Sequence, residues 1–103
     1  MVKNPSARPV GSTEARPAEP LQRVRLRGEI DLAVHDQTLD LLVDAAGTGG
    51  VLVDLSAVTF IDSSGLRALI AASNKVPVSL TRVPEPIEQV LRIAGLDGYF
   101  GRR

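Results

Sequence analysis

The chain is organised by changes in the spacing of its apolar residues. Over residues 21–27 apolar side chains alternate with arginines, and this period of two predicts a strand with one apolar and one polar face. Residues 51–55 form an apolar, mainly β-branched run, which is typical of a strand buried on both faces of a parallel sheet. The shorter alternation at 78–81 predicts a third, half-buried strand.

Helical spacing separates these predicted strands. The first helix is expected from about Val34 to Ala46, where apolar residues recur at intervals of three and four. The second follows the turn at 62–65 and is ended by Pro77. The third has Pro86 in its first turn and Gly95 just beyond its end. Strand and helix therefore alternate three times, which predicts an α/β fold with a small, mostly parallel sheet and helices packed on it.

The predicted domain occupies only part of the chain. Residues 1–20 contain four of the seven prolines and few branched apolar residues, so we expect a flexible Pro-rich tail there and the folded domain at 21–103. With 103 residues and 44% hydrophobic content, the chain can build one compact core.

Composition narrows the classes of function. Twelve basic and twelve acidic residues give a formal net charge of zero, and only 3% of residues are aromatic, so nothing favours a nucleic-acid partner. The chain has no cysteine and no apolar run long enough to span a membrane or to form a secretory signal. We therefore expect a cytoplasmic protein that neither enters a membrane nor carries a cofactor.

The candidate chemistry lies in the turn Asp62-Ser63-Ser64-Gly65, between the second predicted strand and the second helix. Asp and Ser are good N-cap residues, so the turn could serve only to cap the helix. A serine hydroxyl at the carboxyl end of a parallel strand is also accessible to a kinase. A phosphate there would lie against the positive end of the helix dipole and leave the fold intact. Both interpretations follow from the residues alone.

The run from Val51 to Ser56 and the segment Ile61 to Leu66 together resemble the signature of the STAS family of anti-sigma factor antagonists. The turn Gly28 to Asp31 resembles that family's turn before its first helix, and the segment Val90 to Leu96 with Phe100 resembles its last helix and exit. The resemblance covers about residues 21 to 100. The family usually has one further strand before the one at 21–27, but the Pro-rich segment shows no apolar alternation that would predict it.

This resemblance implies a single STAS-like domain that is switched by phosphorylation and is not an enzyme. The acceptor would be Ser63, and the partner an anti-sigma factor with serine kinase activity, which the unphosphorylated protein binds and the phosphorylated protein releases until a serine phosphatase restores it. We expect the partner-binding residues to be Asp31, Asp62, Ser63, Ser64, Gly65 and Arg67. The alternative is a STAS accessory subunit of a lipid-transport ABC system, or a scaffold domain, in which no phosphate is involved.

Other interpretations are weaker. A serine hydrolase needs a base beside its nucleophile, and the only histidine, His35, is predicted near the start of the first helix. Asp54 and Asp62 alone are thin evidence for a Mg²⁺ site, and we expect Asp54 to make a local hydrogen bond. The alternating arginines are expected to form a solvated strand face, with partner contact as the alternative.

Overall fold

The computed structural model describes residues 11–14 and 20–103, which form five strands, three α-helices and one turn of 3₁₀ helix. The strands are β1 (Gly11–Glu14), β2 (Leu21–Ile30), β3 (Gly50–Ile61), β4 (Val78–Thr81) and β5 (Gly101–Arg102). The helices are α1 (His35–Ala45), α2 (Ser63–Ser73) and α3 (Glu85–Ile93), and the 3₁₀ turn Leu32–Val34 leads into α1.

The strands form one sheet in the order β1-β2-β3-β4-β5. β2, β3, β4 and β5 pair in parallel, whereas β1 pairs antiparallel with β2 at one edge. Each parallel connection contains a helix, as crossovers between parallel strands require. The predicted α/β class with a mostly parallel sheet is therefore confirmed.

One apolar core joins the sheet and the helices. It includes the fully buried side chains of Val24 and Val53, which are register partners on β2 and β3. The α2 helix presents Leu69 and α1 presents Leu42 to the same core, and both side chains are fully buried. Within the described ranges no helix is long and apolar enough to cross a membrane.

The prediction of a flexible tail over residues 1–20 is wrong for Gly11–Glu14, which form β1. All four residues pair with β2, from Gly11 opposite Leu26 to Glu14 opposite Arg23. A Cβ on Gly11 would overlap the carbonyl oxygen of Arg25, so glycine allows the two strands to approach closely. Main-chain pairing holds this edge strand, and apolar periodicity does not report such pairing. A strand is therefore present before β2, as the resemblance to the family led us to look for. The rest of the predicted tail, residues 1–10 and 15–19, lies outside the described residues.

Two more boundaries differ from the sequence predictions. β3 continues through Ile61 and β2 through Ile30, because the two strands keep pairing across register shifts at Arg25/Arg27 and Gly28/Glu29. These irregularities break the alternation that the prediction relied on. The two-residue β5 was not predicted, since it is too short to show a period of two. The longer β2 and β3 matter for the site, because the two strands end side by side at Ile30 and Ile61.

Candidate functional site

The Asp62-Ser63-Ser64-Gly65 turn lies where β2 and β3 end together. Ile30 and Ile61 are register partners, and the backbone N–H of Asp62 donates to the carbonyl oxygen of Ile30 at 3.4 Å. The chain then enters α2 at Ser63. The carboxyl end of a parallel sheet is the edge at which α/β folds present functional groups.

Asp62 is the N-cap of α2. Its backbone is extended, with φ −116° and ψ −172°, and its Oδ1 accepts a hydrogen bond from the backbone N–H of Gly65 at 3.0 Å. Its carbonyl oxygen also accepts the first helical bond, from Leu66 N–H at 2.9 Å. Of the residues that the sequence offered as caps, Asp62 fills the role and leaves the two serines free of it.

Gly65 lets the first turn of α2 approach the end of β2. A Cβ at this position would overlap the carbonyl oxygen of Ile30 and lie 2.7 Å from Cγ1 of Ile61. The backbone of Gly65 is buried, and no strained φ is involved. Glycine is needed here for close packing and not for a special conformation.

The two serines of the turn have different environments. Ser63 is exposed, whereas Ser64 is half-buried, and neither hydroxyl hydrogen-bonds to another of the described residues. Arg67 lies one helical turn after Ser63, is exposed, and forms no ion pair with the described part of the chain. The turn therefore offers an unengaged hydroxyl and a nearby unengaged cation.

Asp31 is placed beside this turn from β2. It follows Ile30 directly and caps the 3₁₀ turn, where its Oδ1 accepts from Ala33 N–H at 3.0 Å. Since Asp62 N–H bonds to Ile30, the two capping aspartates follow neighbouring strand ends. The structure thus brings all six residues predicted for partner binding to one end of the sheet.

Two exposed apolar side chains at the same end were missed by sequence reasoning. Leu32, in the 3₁₀ turn, is 74% exposed, and Phe60, the last residue but one of β3, is 49% exposed. Both lie within two residues of the Ile30–Ile61 pair. The only available signal was position, since Leu32 precedes the apolar stripe of α1 and Phe60 follows the predicted end of the strand.

Asp54 is the acidic residue of β3; it lies inside the strand and is completely buried. Its Oδ1 accepts from Ser56 N–H at 2.8 Å, which is the local hydrogen bond that was predicted. Its Oδ2 lies 3.3 Å from Nη1 of Arg23, 3.4 Å from Nε of Arg25 and 3.9 Å from Nε of Arg82. The arginine row on β2 is therefore not simply solvated, because two of its members neutralise a buried carboxylate.

The environment of Asp54 controls its ionisation. Burial alone raises the pKa of the Asp54 carboxyl, but the hydrogen bonds from Ser56 and the charges of Arg25 and Arg82 outweigh burial and hold the pKa below its ordinary value. Among the described residues no group of three or more His, Cys, Asp or Glu side chains is arranged to hold a metal ion.

Comparison with known proteins places this geometry in a family. The family model described as "Mlab, STAS domain" matches residues 15–101. The chain belongs to the STAS family. No relative among curated protein sequences matches it.

Solved structures with the same fold include anti-sigma factor antagonists. SpoIIAA in its unphosphorylated form is 17% identical, with a TM-score of 0.67 over 90% of this chain and 87% of that one. Bacillus SpoIIAA in its phosphorylated form is 16% identical, with a TM-score of 0.61 over 90% of each chain. An anti-sigma factor antagonist from Mycobacterium paratuberculosis is 24% identical, with a TM-score of 0.66 over 94% and 88% of the two chains.

A protein of the sulfate transporter family from Wolinella succinogenes also shares the fold. It is 17% identical, with a TM-score of 0.68 over 85% of this chain and 76% of that one. At these identities the likeness establishes the fold alone, and this fold is shared by anti-sigma factor antagonists and by a protein of the sulfate transporter family.

Proposed function

We propose that this STAS domain is an anti-sigma factor antagonist whose binding to an anti-sigma factor is switched off by phosphorylation of Ser63. The observation that carries the proposal is the exposed, unengaged hydroxyl of Ser63 at the start of α2, at the same end of the sheet as the exposed side chains of Leu32 and Phe60. An accessible hydroxyl beside exposed apolar side chains suits a docking surface that a kinase can modify.

Burial favours Ser63 over Ser64 as the acceptor. A kinase must bring the γ-phosphate of ATP in line with the hydroxyl oxygen, which requires access from solvent. Ser63 is exposed, whereas Ser64 is half-buried. The solved unphosphorylated and phosphorylated forms of SpoIIAA support a phosphorylation cycle in a protein of this fold.

Phosphate at Ser63 is expected to act on the interface and not on the fold. The phosphate brings about −1.5 to −2 charge to the positive end of α2, where an anion is stabilised by roughly 0.3 to 1 kcal/mol. In a complex the same group would be enclosed with Leu32 and Phe60, and desolvating a dianion there opposes docking. An acidic group of the partner that faces the turn in the complex would also be repelled by the added charge.

The partner in this proposal is an anti-sigma factor that is itself an ATP-dependent serine kinase. Unphosphorylated protein binds it and frees the sigma factor, and a serine phosphatase reverses the modification. The surface in this proposal contributes Asp31, Asp62, Ser63, Ser64 and Arg67 to the contact. Gly65, which was also expected to bind the partner, is buried and acts only by letting the turn pack against β2. The protein is then the substrate of an enzyme and carries out no catalysis itself.

A second candidate function rests on the sulfate transporter family neighbour. In a transporter accessory subunit or scaffold domain, the same end of the sheet would pack against its partner without phosphate. Ser63 would then be a contact residue, and its modification would have no role.

Phosphate mapping separates these two candidates. The wild type, Ser63→Ala and Ser64→Ala are incubated with the candidate kinase and ATP, and the modified residue is identified by mass spectrometry. The proposal expects stoichiometric phosphate on the wild type and Ser64→Ala and none on Ser63→Ala. Phosphate that persists on Ser63→Ala would sink the assignment, and a wild type that stays unmodified while forming a stable complex would favour the accessory role.

A further inference from the structure

One side of the β2–β3 pair carries a dense group of arginines. Arg23, Arg25 and Arg27 alternate along β2, and Arg82 follows β4; we call these four residues the arginine face. Arg25 is 44% exposed and Arg82 is 60% exposed, and Arg27 is exposed and forms no ion pair with the described residues.

Among the described residues, the arginine face has more cations than carboxylates to neutralise them. Its carboxylate partners there are Asp54, which is shared by three guanidiniums, and Glu14, which lies 3.6 Å from Nε of Arg23. The backbone of Arg82 is left-handed, with φ 54°, which is unfavourable for a residue with a side chain. The molecule therefore maintains a locally repulsive arrangement that fits an anionic surface.

A matching anionic surface lies on α1. Asp36, Asp40 and Asp44 recur every four residues and are all exposed; we call them the acidic helix face. Asp36 contacts His35 Nδ1 at 2.9 Å, but none of the three pairs with a Lys or Arg of the described chain. Like charges four residues apart destabilise an isolated helix, so this row is also locally unfavourable.

The three arginines of β2 and the three aspartates of α1 form rows of similar length and spacing. Two residues of a strand advance about 6.6 Å, so Arg23 to Arg27 spans about 13 Å. Four residues of a helix advance about 6 Å, so Asp36 to Asp44 spans about 12 Å. The formal net charge of the chain is zero, so no overall repulsion opposes contact between two copies.

We propose that the arginine face docks on the acidic helix face of a second copy of this chain. The two surfaces differ, so the contact is heterologous and extends head to tail instead of closing as a symmetric dimer. It involves no phosphorylation and does not depend on the proposed switch. An acidic segment of another protein is the competing occupant, and it predicts no self-association.

Arg27 and Asp40 are the residues to reverse, since both are exposed and neither contacts Asp54. Sedimentation velocity over a concentration series at about 0.01 M salt, where the Debye length is about 30 Å, measures the association. At low salt we expect the weight-average sedimentation coefficient of the wild type to rise with protein concentration. At about 1 M salt, where the Debye length is about 3 Å, it should no longer depend on protein concentration. Arg27→Glu and Asp40→Lys should each weaken association by at least about tenfold, since like charges then face each other.

A charge swap gives the decisive comparison. Arg27 ends its row and so faces Asp36 or Asp44 when the two rows align. One of the double variants Arg27→Glu with Asp36→Lys and Arg27→Glu with Asp44→Lys restores opposite charges across the contact and should recover association. The control Lys75→Glu with Asp40→Lys has the same net charge but leaves the arginine face intact opposite a lysine, so it should remain monomeric. Circular dichroism checks that each variant is folded. A wild type that is monomeric throughout, or association unaffected by both single reversals, would overturn the proposal; the latter result would point instead to exposed apolar residues such as Ile93 and Tyr99.

Discussion

The aspartate inside β3 and the aspartate just after it lie in different surroundings. Asp54 lies within the strand, is fully buried, and is held by Ser56 and three arginines. Asp62 follows the strand, is half-buried, and uses one oxygen to cap α2. Both are acidic residues next to polar partners, but only Asp62 stands beside an unengaged hydroxyl.

We therefore expect substitutions in these two surroundings to have different effects. The buried carboxylate of Asp54 is satisfied by Ser56 and the surrounding arginines, so a substitution of Asp54 should change the free energy of unfolding. At the turn, the cap fixes the backbone and leaves Ser63 and Arg67 without partners in the described chain. A substitution of Ser63 should therefore change binding and leave the fold stable.

The largest effect is expected for Asp54→Asn. The carboxylate loses its charge while Arg23, Arg25 and Arg82 remain, and hydrogen bonds to charged groups contribute roughly 1.5 to 3 kcal/mol. We expect the free energy of unfolding in urea to fall by about 3 kcal/mol, with Ser63 still phosphorylated in the folded protein. Unchanged stability would contradict a structural role for Asp54.

The pH dependence sharpens the same point. The pKa of Asp54 is lowered in the folded state, so its stabilising contribution is fully present above the unfolded pKa of about 3.9 and is lost as the pH falls through the lower folded pKa. The difference in unfolding free energy between wild type and Asp54→Asn should therefore shrink as the pH is lowered from 6 towards 3. A difference that stays constant over this range would show that the ion pairs contribute nothing.

Gly65→Ala should destabilise the protein by about 2 kcal/mol, since overpacking a close contact typically costs 1 to 3 kcal/mol. The added methyl group would meet the carbonyl oxygen of Ile30. Glycine to alanine in an open helix position has the opposite sign, because alanine is the better helix former. Thermal unfolding of this variant therefore tests the contact by its direction; a stabilised variant would refute the close approach.

Asp62→Ala removes the α2 cap and should lower the unfolding free energy by about 1 kcal/mol. Asp62→Asn keeps an acceptor for Gly65 N–H and is the matched control, with a loss of only a few tenths. Equal losses in the two variants would mean that charge, and not the hydrogen bond, is what Asp62 supplies.

The sequence predicted the parts of the molecule that depend on local pattern. The apolar run at 51–55 located the start of β3 but not its continuation to Ile61, the apolar stripe of the second helix predicted α2, and the Asp-Ser-Ser-Gly spacing located the cap. The edge strand β1 could not be predicted in this way, because its residues Gly11–Glu14 include no alternating apolar side chains. It is held by main-chain pairing with β2.

The rest of the two sites depends on tertiary contacts. Asp54 meets Arg82 through the pairing of β3 with β4, and no spacing in the chain reports that meeting. The exposure of Leu32 and Phe60 likewise depends on where β2 and β3 end, which the register shifts between them obscure.

The most direct test of the switch is a binding measurement with defined protein. Unmodified protein and protein carrying phosphoserine at position 63 are titrated calorimetrically into the candidate anti-sigma factor, with Ser63→Ala as the matched unmodifiable control. The proposal predicts that Ser63→Ala binds within about threefold of the wild type and that the phosphoprotein binds at least about tenfold more weakly, which corresponds to about 1.4 kcal/mol. Equal affinities of the phosphorylated and unmodified proteins, with both still folded, would contradict it.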